Sequence, residues 1–138
     1  MRVFADTSAL IAVSLATDRS HGAVRPVWDS LTSARTPLIA TNYVLLELHA
    51  LLQKRFGMSA VHQFANRIQP VLQVHWVDEG THRAALAAFL SANRRDLSLV
   101  DCVSFVAMRS LSLTRAFTID PHFGEQGFEV IPEAPPSG

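Results

Sequence analysis

The stretch RVFADTSAL (residues 2–10) decides how the rest of the chain is read. RVFA is a short apolar run of strand length, Asp6 closes it, and a helix is expected from about Ser8. The same alternation repeats downstream. A helix over 20–34 ends before Pro37, and LIA (38–40) is the next strand. Thr41 or Asn42 is placed to cap the helix that starts YVLLELHALLQKR. Gly57 breaks that helix, and SAVHQFANRIQ forms another. Pro70 opens a strand, VLQVHWV (71–77), and Asp78 caps an alanine-rich helix through THRAALAAFLSA. After the polar loop NRRDLS, LSLVDCVSFVAM (97–108) reads as a well-buried helix, TRAFTI (114–119) as a strand, and GFEVI (127–131) as a short last strand. PEAPPSG (132–138) is expected to be a flexible tail. Strands separated by helices predict a single domain over 1–131, a three-layer α/β fold whose mainly parallel sheet is covered by helices on both faces.

Composition narrows the function classes. A chain of 138 residues with 49% hydrophobic and 17% charged residues describes a compact soluble domain rather than a disordered one. Net charge is zero, so bulk electrostatics do not point to nucleic acid. The basic residues are 11 Arg and one Lys, which favours bidentate contacts to phosphate or carboxylate. The single cysteine, Cys102, excludes an internal disulfide and suits a reducing compartment; next to Asp101 but on another side of its helix, it is expected in the core. Asp6 interrupts the apolar N-terminal stretch where a signal peptide would be continuous, and no run is long enough for a membrane helix. The expected location is cytoplasmic.

In open parallel sheets, ligands sit beyond the carboxyl ends of the strands. Asp6 follows the first strand directly and Asp120 follows a later one, in AFTIDPHF. Asp101, in LSLVDCVSF, and Glu47, in NYVLLELHAL, lie in helices with apolar surroundings and no Lys or Arg three or four residues away. Each aspartate also has an ordinary reading: Asp6 as a helix N-cap, Asp120 as a turn opening before Pro121, Asp101 as half of a capping box with Ser98. Glu47 has none, beyond neutralisation by a distant Arg. Four carboxylates gathered without a cation would repel one another, and a hard divalent ion such as Mg²⁺ or Mn²⁺ resolves the repulsion in one step. The histidines at 21, 49, 62, 75, 82 and 122 show no ligand-like spacing and read mostly as surface or packing residues.

The ordered set DTSAL, a Glu flanked by apolar residues in the third helix, LSLVDCVSF, TIDPHF and a final GF resembles a PIN-domain ribonuclease, and more narrowly the VapC-type toxins of bacterial toxin–antitoxin pairs. The likeness runs from about residue 2 to 131. It implies an acidic cluster of Asp6, Glu47, Asp101 and Asp120 that binds one or two Mg²⁺ or Mn²⁺ ions and cleaves RNA, freeing a 3′-hydroxyl. Asp6 and Asp101 are the strongest ligand candidates, while Glu47 or Asp120 could orient the attacking water. Thr7, Ser8 and Thr118 match supporting positions, and Asp96 matches an additional acid of some members. Arg94, Arg95, Lys54 and Arg55 are candidates for phosphate contacts, each with an ordinary reading as a solvated charge. The resemblance further implies a homodimer, bound and inhibited by a VapB-type antitoxin. Two rival classes remain. A haloacid-dehalogenase-type phosphotransferase would want an acid at position 8, where Ser8 stands, and a late Lys, whereas the only one is Lys54. A catalytically silent PIN-like module that binds protein or RNA would be expected to have lost an acid, and all four are present.

Overall fold

The structure, a computed structural model, describes residues 1–133. Its sheet has five strands: β1 (Val3–Ala5), β2 (Leu38–Thr41), β3 (Leu72–His75), β4 (Arg115–Phe117) and β5 (Glu129–Ile131). They lie in the order β3-β2-β1-β4-β5, and every pairing is parallel. Seven helices surround them: α1 (Thr7–Ser14), α2 (His21–Ser33), α3 (Asn42–Phe56), α4 (Met58–Arg67), α5 (Glu79–Ala92), α6 (Leu99–Ser110) and the short α7 (Pro121–Glu125). Every residue of β1 and β2 is buried. Successive strand side chains point to opposite faces, so full burial means that both faces are covered, as the apolar runs RVFA and LIA require.

The chain builds β1, β2 and β3 outward in one direction, then returns to lay β4 on the other side of β1. Between β1 and β4 the strand order therefore reverses, and connections leave the sheet in opposite directions. Such a switch point opens a crevice at the carboxyl ends of the two strands. The register aligns Ala5 with Phe117, so Asp6 and Thr118 emerge side by side, and the Asp6 amide donates to the Phe117 carbonyl at 3.0 Å.

Aromatic packing holds the last segment against this edge. Phe123, fully buried, meets Phe105 of α6 edge-on at 4.9 Å between ring centroids and Phe4 of β1 at 6.2 Å. Cys102 is buried, as expected. Thr41 caps α3 by accepting from the Val44 amide, Asp78 caps α5 through the Thr81 amide, and Gly57 ends α3 with φ 82° and ψ −177°, a conformation open essentially to glycine.

Several boundaries differ from the sequence expectation. Pro70 does not open a strand; it lies in a 3₁₀ turn over Gln69–Val71, and β3 covers only Leu72–His75. The strands expected over 114–119 and 127–131 contract to three residues each. Residues 118–120 leave the sheet because Thr118 and Asp120 turn toward Asp6 and start α7, a helix not foreseen at all. The α6 helix begins at Leu99, since Ser98 is its N-cap and Leu97 precedes it. Within the expected tail, residues 134–138 lie outside the described residues.

Candidate metal centre

Asp6 sits at the crevice as the N-cap of α1, and it is buried. Its Oδ2 accepts three hydrogen bonds: from the Ser8 amide at 3.3 Å, the Ser8 hydroxyl at 2.7 Å and the Thr118 hydroxyl at 2.9 Å. Thr118 in turn accepts from the Asp120 amide at 2.9 Å, and Ser8 Oγ accepts from the Ile119 amide at 3.1 Å. The two hydroxyls thus fasten the end of β1 to the turn after β4. Asp120 caps α7 with Oδ1, which accepts from the His122 amide at 2.9 Å. Asp101 forms a full capping box: its amide donates to Ser98 Oγ at 3.0 Å, and its Oδ2 accepts from the Ser98 amide at 3.1 Å. Glu47 is half-buried in α3.

A common pattern runs through the three aspartates. Each commits one oxygen to capping, and among the described residues the other accepts no hydrogen bond. The capping reading therefore holds for one oxygen of each carboxylate and leaves the other without a hydrogen bond. No Lys or Arg forms an ion pair with any of the four acids among the described residues.

Electrostatics show that the four charges converge. Burial pushes the Asp6 carboxyl up from its ordinary 3.8 to about 6, against the lowering effect of the Ser8 and Thr118 hydroxyls, and the charges of Asp101 and Asp120 push it further the same way. Burial also raises Glu47, again with Asp101 and Asp120 adding repulsion. The buried Thr7 hydroxyl lies against Glu47 and tempers that rise, although the two do not meet in a well-formed hydrogen bond. Asp101 is raised by burial and by Asp120, while the hydrogen bond with Ser98 and the nearby His122 lower it. Acids from β1, α3, α6 and the turn after β4 thus share one field.

The residue that sequence reasoning missed is His122. Its sequence context reads as surface or packing, yet single ligand atoms of Asp101, Asp120 and His122 all lie within 4.8 Å of one another. Its Nδ1 is 2.6 Å from Asp120 Oδ1, an ion-pair distance without hydrogen-bond alignment, and its Nε2 is 3.1 Å from Asp96 Oδ2. The signal was its place two residues after Asp120, invisible as a motif because α7 has only five residues. Asp96 itself is exposed and gripped by Arg94 at 2.9 Å; hydrogen bonds from Arg94 and then His122 hold its carboxyl well below the ordinary range. Asp96 belongs to the surroundings of the cluster rather than to its centre.

The candidate phosphate contacts fare unequally. Arg94 is engaged by Asp96 and by Glu125 at 3.0 Å. Arg95 is exposed beside it. Lys54 and Arg55 lie seven and eight residues beyond Glu47 on α3, roughly 10–12 Å further along the helix axis and away from the crevice. Exposed Arg19, not singled out by the sequence, lines a cavity of about 360 Å³ whose wall includes Thr118, Ile119, Asp120 and Pro121.

The donor set fits a divalent metal. Donor atoms of Asp101, Asp120 and His122 lie within 4.8 Å of one another, and two buried polar atoms at the cluster, Thr7 Oγ1 and His122 Nδ1, have no hydrogen-bond partner among the described residues. Hard oxygen donors in excess of local positive charge are what Mg²⁺ and Mn²⁺ bind.

Known proteins share this fold. The PIN domain matches residues 3–129. The chain is 34% identical over 134 residues to the 23S rRNA-specific endonuclease VapC20 of Mycobacterium tuberculosis, in strains CDC 1551 / Oshkosh and ATCC 25618 / H37Rv, covering 95% of this chain and 99% of that protein. The crystal structure of M. tuberculosis VapC20, a Sarcin-Ricin loop cleaving toxin, superposes with a TM-score of 0.78 at 31% identity, covering 91% of this chain and 95% of that one. FitAcB from Neisseria gonorrhoeae shares the fold, with a TM-score of 0.66 at 16% identity over 93% of this chain and 95% of that one. With a parallel sheet that reverses order beside β1, acids at that reversal, and likeness to VapC20 along nearly its whole length, the chain belongs to the PIN-domain family, among its VapC-type members.

Proposed function

We propose that this protein is a metal-dependent endoribonuclease toxin, with Asp6, Glu47, Asp101 and Asp120 as its catalytic acids. The observation that carries the reading is the shared field of four carboxylates with no Lys or Arg partner among the described residues, three of them with one oxygen that accepts no hydrogen bond. A divalent cation bound there supplies Lewis-acid polarisation of a phosphodiester and acidifies an attacking water. The protein's own part is positional. Ser8 and Thr118 fix the orientation of Asp6, Ser98 fixes Asp101, and the start of α7 fixes Asp120. Glu47, which accepts no well-formed hydrogen bond among the described residues, is free to orient the water and take its proton. The cavity lined by Arg19, Ile119 and Pro121 offers room beside Asp120 for a nucleotide flanking the cleaved bond. Likeness to VapC20 makes 23S rRNA the first substrate to try.

Inhibition by a VapB-type antitoxin and a homodimeric state belong to the same reading and rest on the family alone. No helix among the described residues is long and apolar enough to cross a membrane.

The test is cleavage of 23S rRNA and its fragments by protein freed of any antitoxin, with Mg²⁺ or Mn²⁺ and with EDTA. Native protein should cut only with the ion, and Asp6→Asn and Asp101→Asn should each lose at least roughly a hundredfold in rate. Native protein that cuts no RNA, or folded variants that cut as well as native, would overturn the assignment.

A further inference from the structure

We propose that His122 is a metal ligand through Nδ1, alongside Asp101 and Asp120, and that Asp96 is the residue that orients its ring. The inference rests on the metal-dependent reading above and extends it from an all-oxygen site to one with a nitrogen donor.

The geometry is that of a held ligand rather than a loose surface histidine. The His122 side chain is only 13% exposed, and its backbone amide donates to Asp120 Oδ1, which pins the residue beside that carboxylate. Its two ring nitrogens have different surroundings. Nε2 faces Asp96 at 3.1 Å, while Nδ1 is buried against the acids with no hydrogen-bond partner. Asp96 is itself locked, because Arg94 grips both of its oxygens at 3.1 and 2.9 Å and reaches Glu125 at 3.0 Å. Glu125 lies in α7, the helix that carries His122, so the chain His122–Asp96–Arg94–Glu125 returns to the element where it began.

A carboxylate on the remote nitrogen keeps the proton there and directs the other lone pair inward, the arrangement that orients metal-binding histidines. Nδ1 lies 2.6 Å from Asp120 Oδ1 without the alignment of a hydrogen bond. One ligand atom each of His122, Asp120 and Asp101 lies within 4.8 Å of the other two, close enough for the three donors to converge on one ion. Imidazole strengthens binding of first-row transition ions relative to Mg²⁺, whose preference is for oxygen. The site should therefore favour Mn²⁺ over Mg²⁺, with Asp96 contributing through the ring and not through the metal.

The experiment uses the full chain, stripped with EDTA and loaded with Mn²⁺ alone. Pulsed electron paramagnetic resonance should show coupling from a directly bound ¹⁴N in native protein and none in His122→Gln. By calorimetry, Mn²⁺ affinity should fall about tenfold or more in His122→Gln and in Asp96→Asn, with Mg²⁺ affinity changing far less. Asp96→Asn alters an exposed side chain, keeps the imidazole, and should retain the nitrogen coupling. A native Mn²⁺ complex with oxygen couplings only, or equal losses for Mn²⁺ and Mg²⁺, overturns the assignment of His122 while leaving the acidic site standing. Native protein that binds neither ion overturns both.

Discussion

Removing the charge of Asp6 should make the metal-free protein more stable. Asp6 ionises near pH 6 in the fold against 3.8 ordinarily, a difference worth about 3 kcal/mol at neutral pH. Because the folded value is the raised one, the folded state holds its proton more tightly than the unfolded state does. Stability is unaffected by this group below about pH 4, falls as pH rises from 4 to 6, and carries the full cost above 6. In Asp6→Asn the amide oxygen still accepts from Ser8 and Thr118, while the new NH₂ group faces carboxylates instead of repelling them. Urea unfolding in EDTA at pH 8 should therefore show the variant more stable by up to about 3 kcal/mol, or roughly 10 °C in Tm, with the gap closing by pH 4. Saturating Mn²⁺ should narrow or reverse the order, since only the native site gains the full free energy of binding. A variant less stable than native at pH 8, or a gap that does not close in acid, would refute the reasoning and leave Asp6 a structural cap.

Other perturbations separate the two jobs of each acid. Asp101→Ala strands the Ser98 amide and should cost about 1 kcal/mol in denaturant unfolding, whereas Asp101→Asn, which keeps an acceptor, should not; equal melts would show that the capping oxygen contributes nothing. Thr118→Val removes the donor to Asp6 and the acceptor for the Asp120 amide, so a loss of about 2 kcal/mol is expected, recovered largely by Thr118→Ser. Gly57→Ala meets no neighbour within 4 Å, so a loss of about 1–3 kcal/mol in thermal unfolding would come from backbone conformation alone, and an unchanged Tm would contradict it.

The sheet and the four acids were legible in the sequence for the same reason. Apolar runs such as RVFA and LIA carry a period and a length, and an acid set among apolar residues is costly enough to need an explanation. His122 carried no such mark, because a histidine after a proline in a turn is unremarkable, and its partner Asp96 is 26 residues away. Arg94 looked free for the same reason: its second partner, Glu125, lies 31 residues downstream and meets it only once α7 has formed. The strand over 114–119 reads too long because TRAFTI stays strand-like in composition past Phe117, whereas the Thr118 hydroxyl turns to Asp6 and the Ile119 amide to Ser8. Local pattern sees the elements; pairings of long sequence separation assemble the site.

The placement of β4 beside β1 also fixes when the acidic cluster can be complete during synthesis. Asp6 is translated 112 residues ahead of the hydroxyl that steadies it, on Thr118. Asp120 and His122 follow that hydroxyl, and β5 closes the edge of the sheet only after them. A nascent chain therefore lacks a complete cluster until this last turn has been made. Premature termination anywhere before this last turn leaves Asp6 without Thr118 and the cluster without Asp120 and His122, so the topology that builds the centre also delays it.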